Sequence, residues 1–157
     1  MKWYICILVL LTAAACSGKI TVSEDEIGAD VFYVKDSYKP FTGKCIVLYR
    51  GTDLVKEEFT FRNGVLHGEA QAWHKNGQLR RKGCYHKGQI SGRWEFFNEQ
   101  GQKTIEANYK QDNLNGIYIS LYHNGKIKEK GRYEKNKKIG QWDYFAENGQ
   151  LIESVNR

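Results

Sequence analysis

Apolar and polar residues alternate in short runs along residues 61–157, and the whole pattern recurs every 24 residues. In the run 92–97, Trp94 and Phe96 fall on one side, Arg93 and Glu95 on the other. A period of two is what a β-strand with unlike faces produces. The run 105–109 behaves likewise, with Ile105, Ala107 and Tyr109 on one side. Between such runs stand Asn76-Gly77, Gln100-Gly101, Asn124-Gly125 and Asn148-Gly149, again 24 apart. Asn-Gly between alternating runs predicts a hairpin with a type I′ turn, in which both central residues need φ > 0. At the other end of each unit, Gly64, Gly88, Asp112 and Asn136 share one phase and predict a second, looser turn. Each unit therefore reads as a β-hairpin. The chain reads as all-β, an extended antiparallel meander of 24-residue hairpin repeats in which each unit touches mainly its neighbours.

The phases also predict faces. Trp94, Phe96, Tyr118, Trp142 and Tyr144 are expected to line one face as the core, and Trp73, Phe97, Leu121 and Phe145 the other, near the hairpin ends. Leu66, Ile90 and Leu114 should tuck under the sheet, a pattern that Lys138 breaks. Ile117 and Ile119 stand where the equivalent strands have Arg93 and Glu95, or Gln141 and Asp143. They make the strand 116–122 apolar on both faces, so they mark a candidate apolar binding surface.

Four clear repeats occupy 59–157, and a degenerate first repeat occupies 38–58. In the latter Ile46, Leu48 and Tyr49 fall 24 residues before Ala70, Ala72 and Trp73, whereas Gly43 falls 25 before Gly68. The extra residue predicts a β-bulge. The β-rich run 31–34 predicts the first strand and the start of a repeat domain over 31–157. Ahead of it, 16–30 carries Glu24, Asp25, Glu26 and Asp30 and reads as an acidic tether. Residues 1–15 read as a signal peptide: Lys2, the apolar run 5–11, then Ala13, Ala14 and Ala15 before Cys16. The run falls short of the roughly 20 apolar residues that span a bilayer. Cleavage by ordinary signal peptidase and processing at a lipobox both leave Cys16 first; the second makes Cys16 the lipidation site. An exported lipoprotein of the bacterial cell envelope, at the outer membrane or cell surface, is the expectation.

The pattern Tyr-x-x-Gly-x-x-x-Gly-x-Trp-x-x-Phe-x-x-x-Gly resembles the MORN repeat in its bacterial variant form. The opening Lys39, Pro40, Phe41, Thr42, Gly43 and Lys44 resembles the start of the bacterial YwqK-type antitoxin family. The resemblance covers about 38–157. It implies a hairpin-repeat scaffold that binds a partner, and alternatively an immunity or antitoxin protein that neutralises a cognate toxin by direct binding.

Composition narrows the chemistry. The chain has 157 residues, 41% hydrophobic content, one Pro and a formal net charge of +6, one domain's worth of sequence. With Cys6 in the leader and Cys16 lipidated, Cys45 and Cys84 remain. In a meander they lie on strands separated by two others, beyond disulfide reach, and are expected as free, half-buried thiols. His67, His74, His86 and His123 occupy different phases. Cys84 and His86 share a strand face but lack further ligands at recognisable spacing, so no metal and no cofactor is expected. No nucleophile elbow, phosphate loop or Cys/His signature is present, and no catalytic residue is assigned. Lys126, Lys128, Lys130 and Arg132 alternate along one strand, with Arg80 and Lys82 at the same face two repeats earlier. This basic stripe is a candidate binding surface for an anionic envelope surface or an acidic protein. Nucleic acid is a poor partner for an exported chain, and none is expected. The reading is a non-enzymatic binding module.

Overall fold

The computed structural model describes residues 18–23 and 40–157. Their strands are β1 (Lys19–Ser23), β2 (Gly43–Leu48), β3 (Val55–Arg62), β4 (Val65–Trp73), β5 (Leu79–His86), β6 (Gln89–Phe97), β7 (Lys103–Lys110), β8 (Asn113–Leu121), β9 (Ile127–Glu134), β10 (Lys137–Phe145) and β11 (Leu151–Asn156). All eleven form one sheet, and their order across it is their order along the chain. From β2 to β11 every neighbouring pair is antiparallel. The all-β repeat meander expected from the 24-residue period is the observed fold.

The turns are distributed differently from the expectation. The Asn-Gly positions do mark hairpin loops, but not type I′ turns. Gly77, Gly101, Gly125 and Gly149 have φ of 77–90°, while none of the residues before them lies at positive φ. The Gly77 N–H donates to the His74 carbonyl (2.9 Å) and the His74 N–H to the Gln78 carbonyl (2.8 Å). This is a three-residue loop, a type I turn closed by a left-handed glycine. Asn76 Oδ1 accepts the Gln78 N–H (3.0 Å), which is why Asn suits that place. The two-residue turns with both φ positive sit at the other end: Asn63-Gly64 (51°, 75°), Lys87-Gly88 (51°, 82°), Gln111-Asp112 (51°, 64°) and Lys135-Asn136 (47°, 66°).

The 24-residue glycines Gly68, Gly92, Gly116 and Gly140 all have positive φ, from 61° to 115°. Each lies where pairing with the preceding strand shifts register. They are the bulge glycines of the array. No bulge forms at Gly43, however: β2 pairs with β3 without a break from Gly43 to Val47. The extra residue of the first repeat is taken up in the loop 49–54, one residue longer than its equivalent 74–78. Gly43 instead admits Gly18, whose carbonyl a Cβ at 43 would meet at 1.8 Å.

The segment expected as a tether contains β1, which pairs parallel with β2. Ile20 and Val22 on β1 join Phe41, Cys45, Val47 and Phe61 in a buried cluster that closes the N-terminal end of the sheet, with Phe59 and Leu66 packed against it. The leader, Cys16 and the run 31–34 lie outside the described residues. The two thiols are not alike, as the half-buried expectation had them: Cys45 is buried, its thiol pushed up to about 12 by that burial, and Cys84 is exposed.

Farther along, the aromatic face packs by alternating sizes. Trp94 and Trp142 are 2% and 0% exposed. Each indole lies over a glycine of the preceding strand, since a Cβ at Gly83 would meet Trp94 at 2.2 Å and one at Gly131 would meet Trp142 at 2.3 Å. The indole N–H groups donate to the carbonyls of Cys84 and Arg132, both at 3.2 Å. Lys138, in the phase of Leu66, Ile90 and Leu114, places its ammonium 3.8 Å from the Trp142 ring centroid. It also binds Glu129 (2.9 Å) and the Tyr144 hydroxyl (3.2 Å). Burial works against this charge, but Glu129 and Tyr144 outweigh it and raise the Lys138 pKa.

Candidate binding face

Opposite the aromatic face, paired residues form rows running across the strands. One row runs Lys82, Glu95, Glu106, Ile119, Lys130, Asp143, Ser154. Directly opposed side chains in a sheet are close enough for opposite charges to pair, and here they do. Glu95 receives Lys82 (2.9 Å), Arg93 (2.9 Å) and Lys103. Hydrogen bonding from Lys103, with Lys82 beside it, outweighs burial and lowers the Glu95 carboxyl to about 2. Glu106 takes Arg93 (2.8 Å) and Lys103 (3.3 Å). Asp143 is bonded by Gln141 and Ser154, both at 2.7 Å, with Lys130 at 3.6 Å. Gln141, Ser154 and Lys130 together hold its carboxyl below the ordinary value. Glu95 is thus tied into a lattice of cations, and Asp143 into hydrogen bonds from Gln141 and Ser154 with Lys130 beside it, surroundings that keep both carboxylates charged.

The basic stripe does not assemble as the alternation implied. Lys126 lies in the loop before β9, with its ammonium on the Asn148 carbonyl (2.7 Å). Arg80 falls at a register shift and reaches Glu57 (2.8 Å), not the line of Lys82. Lys82 and Lys130 are ion-paired as described, and Lys130 also sits 5.5 Å from the Phe145 ring centroid. Lys128 stands over Tyr122. The outward side of β9 carries Lys128, Lys130 and Arg132, and at its end the exposed Glu134 as well.

Arg132 is different. It faces Ile117 on β8 and Ile139 on β10. Among the described residues no carboxylate lies within ion-pair reach of its guanidinium. In the next row Ile119 faces Lys130 on one side and Glu106 on the other. Ile117 is 47% exposed; Ile119 and Ile139 are half-buried. The apolar pair and the cations therefore share one face, away from the aromatic core. Alternation alone does not single out Ile139, because β10 reads as polar at its start. The available signal was its phase, which holds His67, Ser91 and Asn115 in the other copies.

The histidines are spent on packing between repeats. His74 Nε2 bonds the Phe97 carbonyl (2.9 Å), His123 meets Asn98 and Gln102, and the His67 and His86 rings lie 5.0 Å apart. Among the described residues no three His, Cys, Asp or Glu side chains are grouped to hold a metal.

Residues 66–87, 90–111 and 114–135 match the MORN repeat variant. These segments are the hairpins β4–β5, β6–β7 and β8–β9. No curated protein matches the chain. Repeats of this variant generally serve as binding or scaffold modules.

Proposed function

We propose that this chain, built on MORN-variant hairpins, is a non-enzymatic binding module of the bacterial cell envelope, held there by a lipid on Cys16. The observation that supports it is the patch of Ile117, Arg132 and Ile139 beside a row in which Lys82, Glu95, Glu106, Lys130 and Asp143 are matched within the sheet. An exposed Ile117 and a half-buried Ile139 around a guanidinium that meets no carboxylate among the described residues suit a binding surface. The rest of the sheet serves as a rigid support. Turns at both edges are bonded to the next repeat, as in Asn76 Nδ2 to the Glu99 carbonyl (2.7 Å) and the Ile90 N–H to Asp112 Oδ1 (2.7 Å).

A photo-crosslinking side chain placed at 117 in the full-length chain, in its native cells, tests the reading, with position 82 as control. A macromolecular adduct from 117 and none from 82 is expected. No adduct from 117 overturns the module. The anchor is read separately: Cys16→Ala should leave the membrane fraction, and a variant still retained there refutes lipidation. The antitoxin alternative rests on the resemblance at 39–44. It gains support if the adduct at 117 is a toxin whose activity the chain suppresses. Against it, Phe41 and Gly43 have structural duties: Phe41 is 4% exposed in the N-terminal cluster, and Gly43 admits Gly18.

A further inference from the structure

Three departures from the repeat meet at one place. Ile117 occupies a phase that holds Glu69, Arg93 and Gln141 in the other copies. Ile119 stands where they have Gln71, Glu95 and Asp143, and Ile139 where they have His67, Ser91 and Asn115. Nine polar residues at these phases give way to three isoleucines, and the pairing of β8, β9 and β10 sets Ile117 and Ile139 on either side of Arg132. Ile119 lies two residues along β8, on the same side. Nothing in the fold demands this, because the same positions in the neighbouring repeats are filled by polar side chains on an equivalent backbone.

We propose that this triplet, apolar–guanidinium–apolar, is a docking site for an acidic polypeptide segment in which a carboxylate is flanked by apolar side chains. This rests on the binding-module reading and names the partner's chemistry. A guanidinium takes a carboxylate in bidentate geometry, and apolar walls on both sides strengthen the pair by excluding water. Lys128, Lys135 and Lys137, exposed and with no carboxylate in ion-pair reach among the described residues, add positive charge around the site that draws in an acidic partner. A uniformly anionic lipid surface fits less well. Glu134 is exposed on the outward side of β9 and Asp143 lies in the adjoining row, so both carboxylates would be pressed against the headgroups. A polypeptide can place its charges between them.

The test uses the full chain and three probes: a peptide of alternating Val and Glu, the same peptide with Gln for Glu, and vesicles rich in phosphatidylglycerol. The Val/Glu peptide should bind, and the Gln peptide should bind at least tenfold more weakly. Arg132→Gln should lose at least tenfold. The triple variant Ile117→Gln, Ile119→Gln, Ile139→Ser should lose as much while melting normally, since each new residue already stands at that phase in another copy or closely matches one. Lys82→Gln should bind as wild type. Peptide affinity unchanged by Arg132→Gln overturns the site, as does binding to the vesicles but not to the peptide. Self-association abolished by the triple variant overturns it too, in favour of a second copy of this chain. If position 117 still crosslinks a macromolecule in cells when the peptide fails, the acidic partner is excluded and the module stands.

Discussion

Gly83 and Trp94 show how single residues set this sheet. Gly83 has no need of unusual dihedrals; what it supplies is room, because a Cβ there would sit 2.2 Å from Trp94 Cδ2. The indole is held edge-on to Tyr85 (5.4 Å) and tilted to Phe96 (6.3 Å). Large and small residues alternate across this row, with Trp94 beside Ala107, Ala107 beside Tyr118 and Tyr118 beside Gly131. A single layer can bury an indole only when its neighbours on both strands are small and adjacent rings close over it. Gly83→Ala should therefore overpack the site and cost about 1–3 kcal/mol. Chemical denaturation followed by tryptophan fluorescence measures this. Unchanged stability would show that Trp94 does not rest on Gly83.

Between elements, the opposite face is held by charges rather than by packing. Glu95 links three strands through Lys82 on β5, Arg93 on β6 and Lys103 on β7. Its carboxyl titrates near 2 in the fold against an ordinary 4.5, so between those values the unfolded chain binds a proton that the folded chain refuses. The stabilisation is then complete above about 4.5 and is lost as pH falls toward about 2. Melting temperature measured across that window should fall for the wild type, and Glu95→Gln should remove part of the slope. An identical slope in the variant would place the acid sensitivity elsewhere. The hairpin loops carry the other links between elements. Asp112 and Asn136 stand at positive φ in their turns, and their carboxylate or amide oxygens accept the N–H groups of Ile90 and Leu114 in the preceding repeat, both at 2.7 Å.

At the scale of the whole molecule each strand hydrogen-bonds only to its neighbours in the sequence, and side chains such as Arg81 reach one strand farther, to Glu57, so stability should be propagated locally along the array. The N-terminal end is the exception in composition. There Ile20 and Val22 complete a conventional apolar cluster with Phe41, Cys45, Val47 and Phe61. Val22→Asp would put a carboxylate where the side chain is 2% exposed, a change costing several kcal/mol unless that end opens. Hydrogen exchange should then accelerate over β1 to β4 while β8 to β10 keep their protection. A uniform acceleration along the chain would show instead that the sheet unfolds as one cooperative unit.

The 24-residue period determined the strands, their antiparallel order and the places of the turns, because side-chain alternation and loop residues are local properties that recur with the backbone. It did not determine which turn was type I′. Lys87, Gln111 and Lys135 adopt positive φ in tight turns that their residue types do not advertise. Nor did it reveal β1 at the edge of the sheet, whose parallel pairing joins residues 25 apart in sequence through contacts with no repeat to announce them. The candidate site divides in the same way. Ile117 and Ile119 were legible as departures from their phase, and the cations of β9 as an alternating run. Only the register across strands showed that Lys82 and Lys130 are matched by carboxylates, that Arg132 meets none among the described residues, and that Ile139 completes its surroundings. Charge along one strand says what is present; whether it is free to bind depends on the strand beside it.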